Sequence, residues 1–199
     1  MKLFPELLWR FSSRESNQEK HIYLTFDDGP TPDVTPWVLD RLQDYNAKGT
    51  FFCLGRNVER FPDIYQQIVD EGHTVGNHTY SHLKGSQTSN TEYIDDIQLA
   101  GTNINSTLFR PPYGRFRKSQ IRELQKDYKI VMWDVLSQDY DQKINPEKCL
   151  SNIEENIRPG SIVVFHDSLK ARDNLFYALP MMLEKYSKDY QFLPIPHSA

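Results

Sequence analysis

Short runs of apolar and β-branched residues alternate along the chain with longer stretches in which apolar residues recur every three or four positions. The short runs predict buried strands, and the longer stretches predict amphipathic helices. The predicted strands cover residues 21–26, 49–54, 73–77, 106–110, 129–135, 161–166 and 190–195. This alternation is typical of repeated βα units, so the sequence predicts an α/β fold with about seven parallel strands.

Helices are predicted between the strands, and several carry recognisable start signals. The predicted ranges are 35–45, 62–71, 89–101, 117–126, 145–157 and 174–187. Ser89 followed by Glu92 matches a capping box. Thr35 and Asn145 each precede a proline, which is the pattern of an N-cap residue with proline in the first turn.

Polar residues follow the predicted strands at their carboxyl ends. These residues are Asp27 and Asp28, His78 and His82, the stretch 110–114, the stretch 133–139, and His166. In a βα barrel the carboxyl ends of all strands open onto one face, where such folds assemble their active sites. We therefore expect these side chains to converge.

Length and charge narrow the possible classes of protein. We expect one catalytic domain at residues 21–199, with residues 1–20 as a segment that packs on the barrel. A formal charge of −4 without a clustered basic run argues against nucleic acid as a partner. No apolar run reaches the roughly eighteen residues that span a bilayer, and no secretory signal is visible. We expect a monomer that is cytoplasmic or already trimmed, with Cys53 and Cys149 as buried free thiols.

Two histidines and a pair of aspartates suggest a metal site. His78 and His82 are four residues apart, a spacing that brings two imidazoles to one side of a helical turn. Hydrolytic zinc sites often use two histidines and one carboxylate and leave a position open for water. One of Asp27 and Asp28 would complete such a site, and the other would stay ionised beside the metal as a general base. Each feature by itself also has an ordinary structural explanation. Histidine pairs with this spacing occur by chance on exposed helices, and residues 27–30 also fit a turn without any catalytic role.

Five stretches of the chain, taken together and in order, point to one family. They resemble the five motifs of the polysaccharide deacetylases, carbohydrate esterase family four: TFDDGP (25–30), HTYSH (78–82), RPPYG (110–114), WDVLSQDY (133–140) and VVFH (163–166). The resemblance covers nearly the whole chain. It implies a distorted (β/α) barrel and metal-dependent removal of acetyl groups from N-acetylated or O-acetylated glycans.

The resemblance also implies a metal-ligand set and an acid–base pair. Asp28, His78 and His82 would hold a divalent metal. Zn²⁺ is the first expectation, and Co²⁺ or Ni²⁺ suit the same ligands. Asp27 would act as the base and His166 as the acid.

Further residues would orient the base and contact the substrate. By the same resemblance, Arg110 would orient the base, and the backbone N–H of Tyr113 would help form an oxyanion hole. Val164 would line the acetyl pocket. Tyr80 is our candidate for stacking on a sugar ring, whereas Trp133, inside an apolar run, is expected to lie in the core.

Three positions depart from the family's usual pattern. Leu136 stands where an aspartate usually pairs with the arginine of the third motif. Either Asp134 or Asp139 would take over that pairing, or the arginine would be held in another way. Val164 replaces a leucine, which would slightly enlarge the acetyl pocket, and Tyr140 replaces a tryptophan while keeping an aromatic ring.

Two other classes of function fit part of the pattern. A non-haem iron oxygenase uses the same two-histidine, one-carboxylate set, but that class gives no reason for Asp27 or His166. A non-catalytic sugar-binding protein that keeps the fold is the other, and the departure at Leu136 favours it. On local sequence alone, His166 also reads as a core histidine hydrogen-bonded by Asp167.

Overall fold

Parallel strands and surrounding helices follow one another through most of the chain. The computed structural model describes residues 6–12 and 20–197. The strands are β1 His21–Asp27, β2 Gly49–Cys53, β3 Thr74–Asn77, β4 Leu108–Phe109, β5 Lys129–Ile130, β6 Val135–Leu136, β7 Ile162–His166 and β8 Gln191–Phe192. The helices are α1 Thr35–Asp44, α2 Gly55–Arg60, α3 Pro62–Asp70, α4 Asn90–Gly101, α5 Lys118–Leu124, α6 Pro146–Glu154 and α7 Arg172–Tyr186, with 3₁₀ turns at Gly85–Gln87 and Pro112–Gly114.

The strands form one curled parallel sheet. Its order is β5-β4-β3-β2-β1-β7-β6, and β8 pairs with the first residues of β1. The predicted α/β distorted barrel with about seven parallel strands is confirmed. Among the described residues, no ladder joins β5 to β6. Near that opening, the N–H of Leu8 donates to Ile130 and the Leu8 carbonyl accepts from Met132, while Phe11 donates to Gly160.

The prediction of a single strand over 129–135 is wrong. Lys129–Ile130 pairs with β4, whereas Val135–Leu136 pairs with β7 on the other side of the barrel opening. The chain turns between them at Asp134, whose carboxylate accepts the N–H of Ile162 at 2.8 Å. This break could not be predicted from the apolar run, because the residues before and after it are both buried.

The central strand β1 separates two packed surfaces. Ile22, Leu24 and Phe26 are fully buried on the side that faces the helices, and Phe26 stacks on Phe51. Burying such a side chain stabilises a fold by about 1.5–3 kcal/mol. The alternate residues of β1 point into the barrel, because successive strand residues face opposite sides. Asp27 lies on this inner face, and its position follows from the strand register.

Two of the predicted helix starts agree with the structure, and one does not. Ser89 accepts the N–H of Glu92, and Asn145 accepts the N–H of Lys148. Thr35, however, is the first residue of α1 and not its cap, because its hydroxyl is used by a buried carboxylate described below. Helix α2 was not predicted, since its six residues carry a single buried apolar side chain, Val58.

Parts of both chain ends fall outside the residues that the structure describes. Residues 1–5, 13–19 and 198–199 lie outside the described part, so the predicted division at residue 20 stays a prediction. Leu7 is buried in a cluster with Ile121 and Ile130. In the described ranges no helix is long and apolar enough to cross a membrane. Cys53 and Cys149 are free and buried, as predicted.

Candidate active site

The carboxyl ends of the strands open onto one cavity of about 790 Å³. Its lining includes most of the polar residues that the sequence placed after the strands: Asp27, Asp28, His78, His82, Tyr113 and His166. Parallel pairing brings these residues together, since the register sets Asp27 directly beside His166 on β7. The expected convergence is therefore present.

The two adjacent aspartates reach the same cavity because the backbone changes direction between them. Strand geometry alone would send Asp28 to the opposite side from Asp27. Asp28 instead has φ 83°, in the left-handed region that non-glycine residues seldom adopt. Its carbonyl accepts from Asn57 at 2.8 Å, which holds this turned backbone in place. Strain of this kind is typical of functional sites.

The turn after the aspartates is held by a buried carboxylate that sequence analysis did not assign to it. Asp167 accepts the N–H of Gly29 at 3.0 Å and the hydroxyl of Thr35 at 2.5 Å. A Cβ at Gly29 would overlap that carboxylate, which explains glycine at this position. Burial raises the pKa of Asp167 to about 7, although the Thr35 hydrogen bond opposes the shift.

The histidine pair lies on a loop and not on a helical turn, contrary to the expectation from its spacing. Thr79 and His82 both have positive φ, at 69° and 64°. Hydrogen bonds stabilise this bend: the N–H of His82 donates to the Thr79 hydroxyl, and Asp96 accepts from the N–H groups of Tyr80 and Ser81. The two imidazole centroids are 5.2 Å apart, so the loop achieves the proximity that a helix would give.

Three side chains on the cavity floor could hold one metal ion. The ligand atoms of Asp28, His78 and His82 all lie within 4.8 Å of one another. Asp28 Oδ1 is 3.1 Å from His82 Nε2 and 3.6 Å from His78 Nε2. This oxygen is buried yet accepts no well-aligned hydrogen bond. A shared cation would satisfy all three atoms, so the donor set fits a divalent metal.

Protonation states also suit metal binding. Burial raises the pKa of Asp28, but the His82 contact and the charge of the nearby His166 outweigh that effect. The net pKa lies well below the usual range of an aspartate, so the carboxylate is ionised. Burial lowers the pKa of His78 to about 4, so its imidazole is neutral at pH 7. Its Nδ1 donates to the carbonyl of Arg110 at 2.8 Å, which leaves the Nε2 lone pair for a ligand bond.

Asp27 is held by a buried arginine. Arg110 Nη1 donates to Asp27 Oδ1 and to the Thr25 hydroxyl, both at 2.7 Å. The Nε and Nη2 groups of the same guanidinium donate to the carbonyls of Val131 and Met132, respectively. Arg110 is fully buried, so this network fixes the carboxylate of Asp27 in one orientation.

His166 is paired with Asp139, a partner that sequence analysis did not identify. Asp139 Oδ1 lies 2.8 Å from His166 Nδ1, and Oδ2 accepts the His166 backbone N–H at 2.7 Å. Burial lowers the pKa of His166, but the charge of Asp139 and its hydrogen bond outweigh that effect and raise the pKa to about 9. His166 is therefore protonated at neutral pH, and its Nε2 is left for other contacts.

Tyr113 sits at the cavity mouth in an unusual backbone conformation. It has φ 59° and is 60% exposed, and its ring packs against that of His82 with centroids 4.7 Å apart. No hydrogen bond found among the described residues uses the Tyr113 N–H. That N–H is thus available to an acceptor in the cavity.

Comparison with known proteins identifies the family. The family model described as "Polysaccharide deacetylase" matches residues 14–133, which is more than half of the chain. The chain belongs to the polysaccharide deacetylase family.

Two curated members of this family come from Bacillus cereus. Both are named peptidoglycan-N-acetylglucosamine deacetylase. One is 36% identical over 90% of this chain and 88% of its own length, and the other is 36% identical over 74% of this chain. The chain spans 56% of the second relative's length.

A solved deacetylase structure shares the fold. It is a peptidoglycan N-acetylglucosamine deacetylase crystallised with a naphthalenyl N-oxidanyl-benzamide. Its TM-score is 0.84 at 32% identity, and the match covers 89% of this chain and 87% of that one. The curled parallel sheet described above is therefore the polysaccharide deacetylase barrel.

The departures from the polysaccharide deacetylase pattern have structural consequences. Leu136 and Val164 both line the cavity as apolar side chains. Neither Asp134 nor Asp139 replaces the missing partner of Arg110, since Asp134 binds the Ile162 N–H and Asp139 binds His166. The backbone carbonyls already described hold the guanidinium instead.

Two aromatic residues differ from expectation. Tyr80 does not line the cavity: its ring packs against the core, and its hydroxyl donates to Glu59 at 2.6 Å. Trp133, which we expected in the core, is half-buried: it packs against buried core residues and also lines the cavity. Tyr140 also lines the cavity, with its ring 4.9 Å from that of His166.

His73 has a structural position. It precedes β3, at the end of the barrel opposite the cavity, and its Nδ1 accepts the N–H of Gly49 at 3.0 Å. Its ring packs edge-on against Phe51. This agrees with the prediction that His73 is structural.

Proposed function

We propose that this protein is a metal-dependent deacetylase that removes the acetyl group from an N-acetylated sugar of a glycan. The observation that carries the proposal is the convergence of three potential ligand atoms within 4.8 Å, on the floor of a cavity also lined by Asp27 and His166. A metal-binding set flanked by one carboxylate and one protonated imidazole is suited to metal-assisted amide hydrolysis.

Asp28, His78 and His82 would hold the metal, with Zn²⁺ as the first candidate and Co²⁺ or Ni²⁺ as alternatives. When bound, the cation would polarise the acetyl carbonyl and lower the pKa of a coordinated water molecule. The neutral imidazole of His78 and the ionised carboxylate of Asp28 are the protonation states that such ligands need.

The remaining residues would move protons and stabilise charge. Asp27, oriented by Arg110, accepts a proton from the attacking water. The Tyr113 N–H donates to the carbonyl oxygen as negative charge develops there, and such a donor is worth about 3–4 kcal/mol. His166 then donates its Nε2 proton to the leaving amine nitrogen, while Asp139 stabilises the imidazolium before transfer.

The names of the relatives support an N-acetylated glycan as the substrate class. The relatives in Bacillus cereus are named for N-acetylglucosamine of peptidoglycan, and one in Azorhizobium caulinodans is named a chitooligosaccharide deacetylase. Both names describe N-acetylated glycans, so we place this chain's substrate in the same class. Its cytoplasmic location and monomeric state stay predictions.

Acetate release tests the proposal. The protein is stripped of metal with a chelator and assayed on N-acetylglucosamine oligomers before and after addition of Zn²⁺. We expect activity only after addition. Asp27→Asn should keep the metal and lose roughly a hundredfold or more of the rate. Asp33→Asn, which removes an exposed carboxylate from the same loop outside the cavity, is the matched control and should keep the rate.

Other outcomes would favour the competing classes. A protein that binds Zn²⁺ and oligomers but releases no acetate from any acetylated glycan would be a sugar-binding member of the family. Oxygen consumption with bound iron would indicate an oxygenase. A near-normal rate in Asp27→Asn would remove that residue from its role as base.

A further inference from the structure

The cavity mouth carries more positive charge than the rest of the molecule would suggest. Four cationic side chains line it: Arg56, Lys84, Arg115 and Lys170. The acidic residues in the same lining are Asp27 and Asp28, both at the floor. The whole chain is acidic, with 27 acidic and 23 basic residues. The positive mouth is therefore a local feature and not a reflection of composition.

Among the described residues, none of these four cations forms an ion pair with a carboxylate. Basic residues elsewhere do form such pairs, as Arg41 does with Asp44 and Lys185 with Glu154. Asp27 is already paired with Arg110, and Asp28 is placed to hold a metal. Within the described part of the chain, the positive charge of these four side chains is thus not neutralised by a direct ion pair.

The cations surround the mouth instead of forming one patch. Arg56 follows β2, Lys84 follows β3, Arg115 follows β4 and Lys170 follows β7. Helix α2 therefore presents Arg56, and three separate loops each present one of the other cations, to whatever enters the cavity.

Two of the lysines lie beside aromatic rings that touch the site itself. Lys84 Nζ is 5.7 Å from the ring centroid of Tyr113, and that ring packs on His82. Lys170 Nζ is 5.7 Å from the ring centroid of Tyr140, and that ring packs on His166. One lysine–tyrosine pair thus flanks a proposed metal ligand, and the other flanks the proposed acid. A ring face with an ammonium group beside it is suited to a sugar that carries an anionic substituent.

We propose that the cavity selects an anionic glycan, one whose sugars carry carboxylate groups, over a neutral glycan of the same length. The inference rests on the proposed function, because it names the substrate class of that same site. Lys84 and Arg115 bind a carboxylate on one side of the reacting sugar, and Lys170 binds one on the other. Complementary charge of this kind gives selectivity and faster association, and both weaken with salt.

A pair of matched ligands tests the inference. One is an N-acetylated tetrasaccharide with carboxylate-bearing sugars, and the other is the same tetrasaccharide with each carboxylate converted to a neutral methyl ester. Binding is measured by calorimetry in the Asp27→Asn background, so that neither ligand is consumed. At low salt we expect the free acid to bind about tenfold more tightly than the ester. The difference should shrink at roughly 0.5 M salt, where the Debye length is only about 4 Å.

Charge-neutralising variants show which residues are responsible. Lys84→Gln combined with Lys170→Gln should reduce the preference for the acid to about twofold or less. Lys188→Gln removes an exposed lysine that does not line the cavity, and it should leave the preference unchanged. Equal binding of acid and ester, or a preference that survives the double substitution, would overturn the inference.

The two proposals can fail separately. Acetate release from both ligands is followed in parallel with the unsubstituted protein and added Zn²⁺. A lack of release from either ligand would count against the deacetylase function, while the binding comparison would still decide the charge preference. Release with equal rates and equal binding for the two ligands would keep the function and overturn the inference.

Discussion

Asp139 contacts His166 through both of its carboxylate oxygens, one on the backbone N–H and one on the ring Nδ1. The two residues are 27 positions apart in the chain, and β7 brings them together. Asp139 is fully buried and does not line the cavity, so it acts through the imidazole as a positioning residue. This contact fixes the ring orientation and raises its pKa, which are two requirements for a proton donor.

Replacing Asp139 with asparagine should move the pH profile. His166 must be protonated to act as an acid, so activity falls as pH rises through its pKa. Asp139 raises that pKa, and its loss should therefore shift the alkaline limb of kcat/KM to lower pH by about one unit or more. The profile is measured by acetate release between about pH 5 and about pH 10, a range that covers the titration of His166 with and without Asp139.

The control for that experiment is Asp40→Asn, which removes an exposed carboxylate on α1. Its alkaline limb should match that of the unsubstituted protein. An unshifted limb in Asp139→Asn would show that His166 does not set the profile.

The buried pair of Arg110 and Asp27 should be essential for stability as well as for activity. Arg110→Met leaves the carboxylate of Asp27 in the barrel without its cation, and breaking a buried pair in this way costs about 3–5 kcal/mol of unfolding free energy. Chemical denaturation measures the loss. Arg172→Met breaks an exposed pair with Asp173 on α7 and should change the unfolding free energy by no more than about 0.5 kcal/mol. Equal effects of the two substitutions would contradict the role of burial.

The hydroxyl of Thr35 should stabilise the turn that follows the aspartates. It donates to Asp167 Oδ2 and accepts the part-buried N–H of Thr31 at 2.7 Å, so Thr35→Val would remove both hydrogen bonds, while Asp167 would keep the one from the Gly29 N–H. We expect a loss of about 1–3 kcal/mol in unfolding free energy. Thr91→Val on the exposed face of α4 makes the same change of side chain where nothing is buried. A similar loss in both variants would trace the effect to the valine side chain and not to the Asp167 contact.

Much of the fold could be predicted from the chain because its signals are local. The alternation of apolar runs and helical stretches fixed the order of elements, and the caps at Ser89 and Asn145 act within three residues of themselves. Residues that directly follow strands, such as Asp27 and His166, were placed correctly since parallel strands all end at one face.

What could not be predicted depends on contacts across the barrel. Asp167 is next to His166 in the chain, yet strand alternation turns its carboxylate towards Thr35, and Asp139 reaches the imidazole from another loop. The two halves of 129–135 belong to different strands because the sheet is open between them. Only the paired neighbours, β4 and β7, reveal that break.

The most direct test of the account is the position of the metal. Crystals of the zinc-loaded protein, measured at the zinc absorption edge, should give an anomalous peak about 2.0–2.2 Å from a carboxylate oxygen of Asp28 and from Nε2 of both His78 and His82. A peak bonded to other side chains, or no peak at this position in protein shown to contain zinc, would contradict the proposed site.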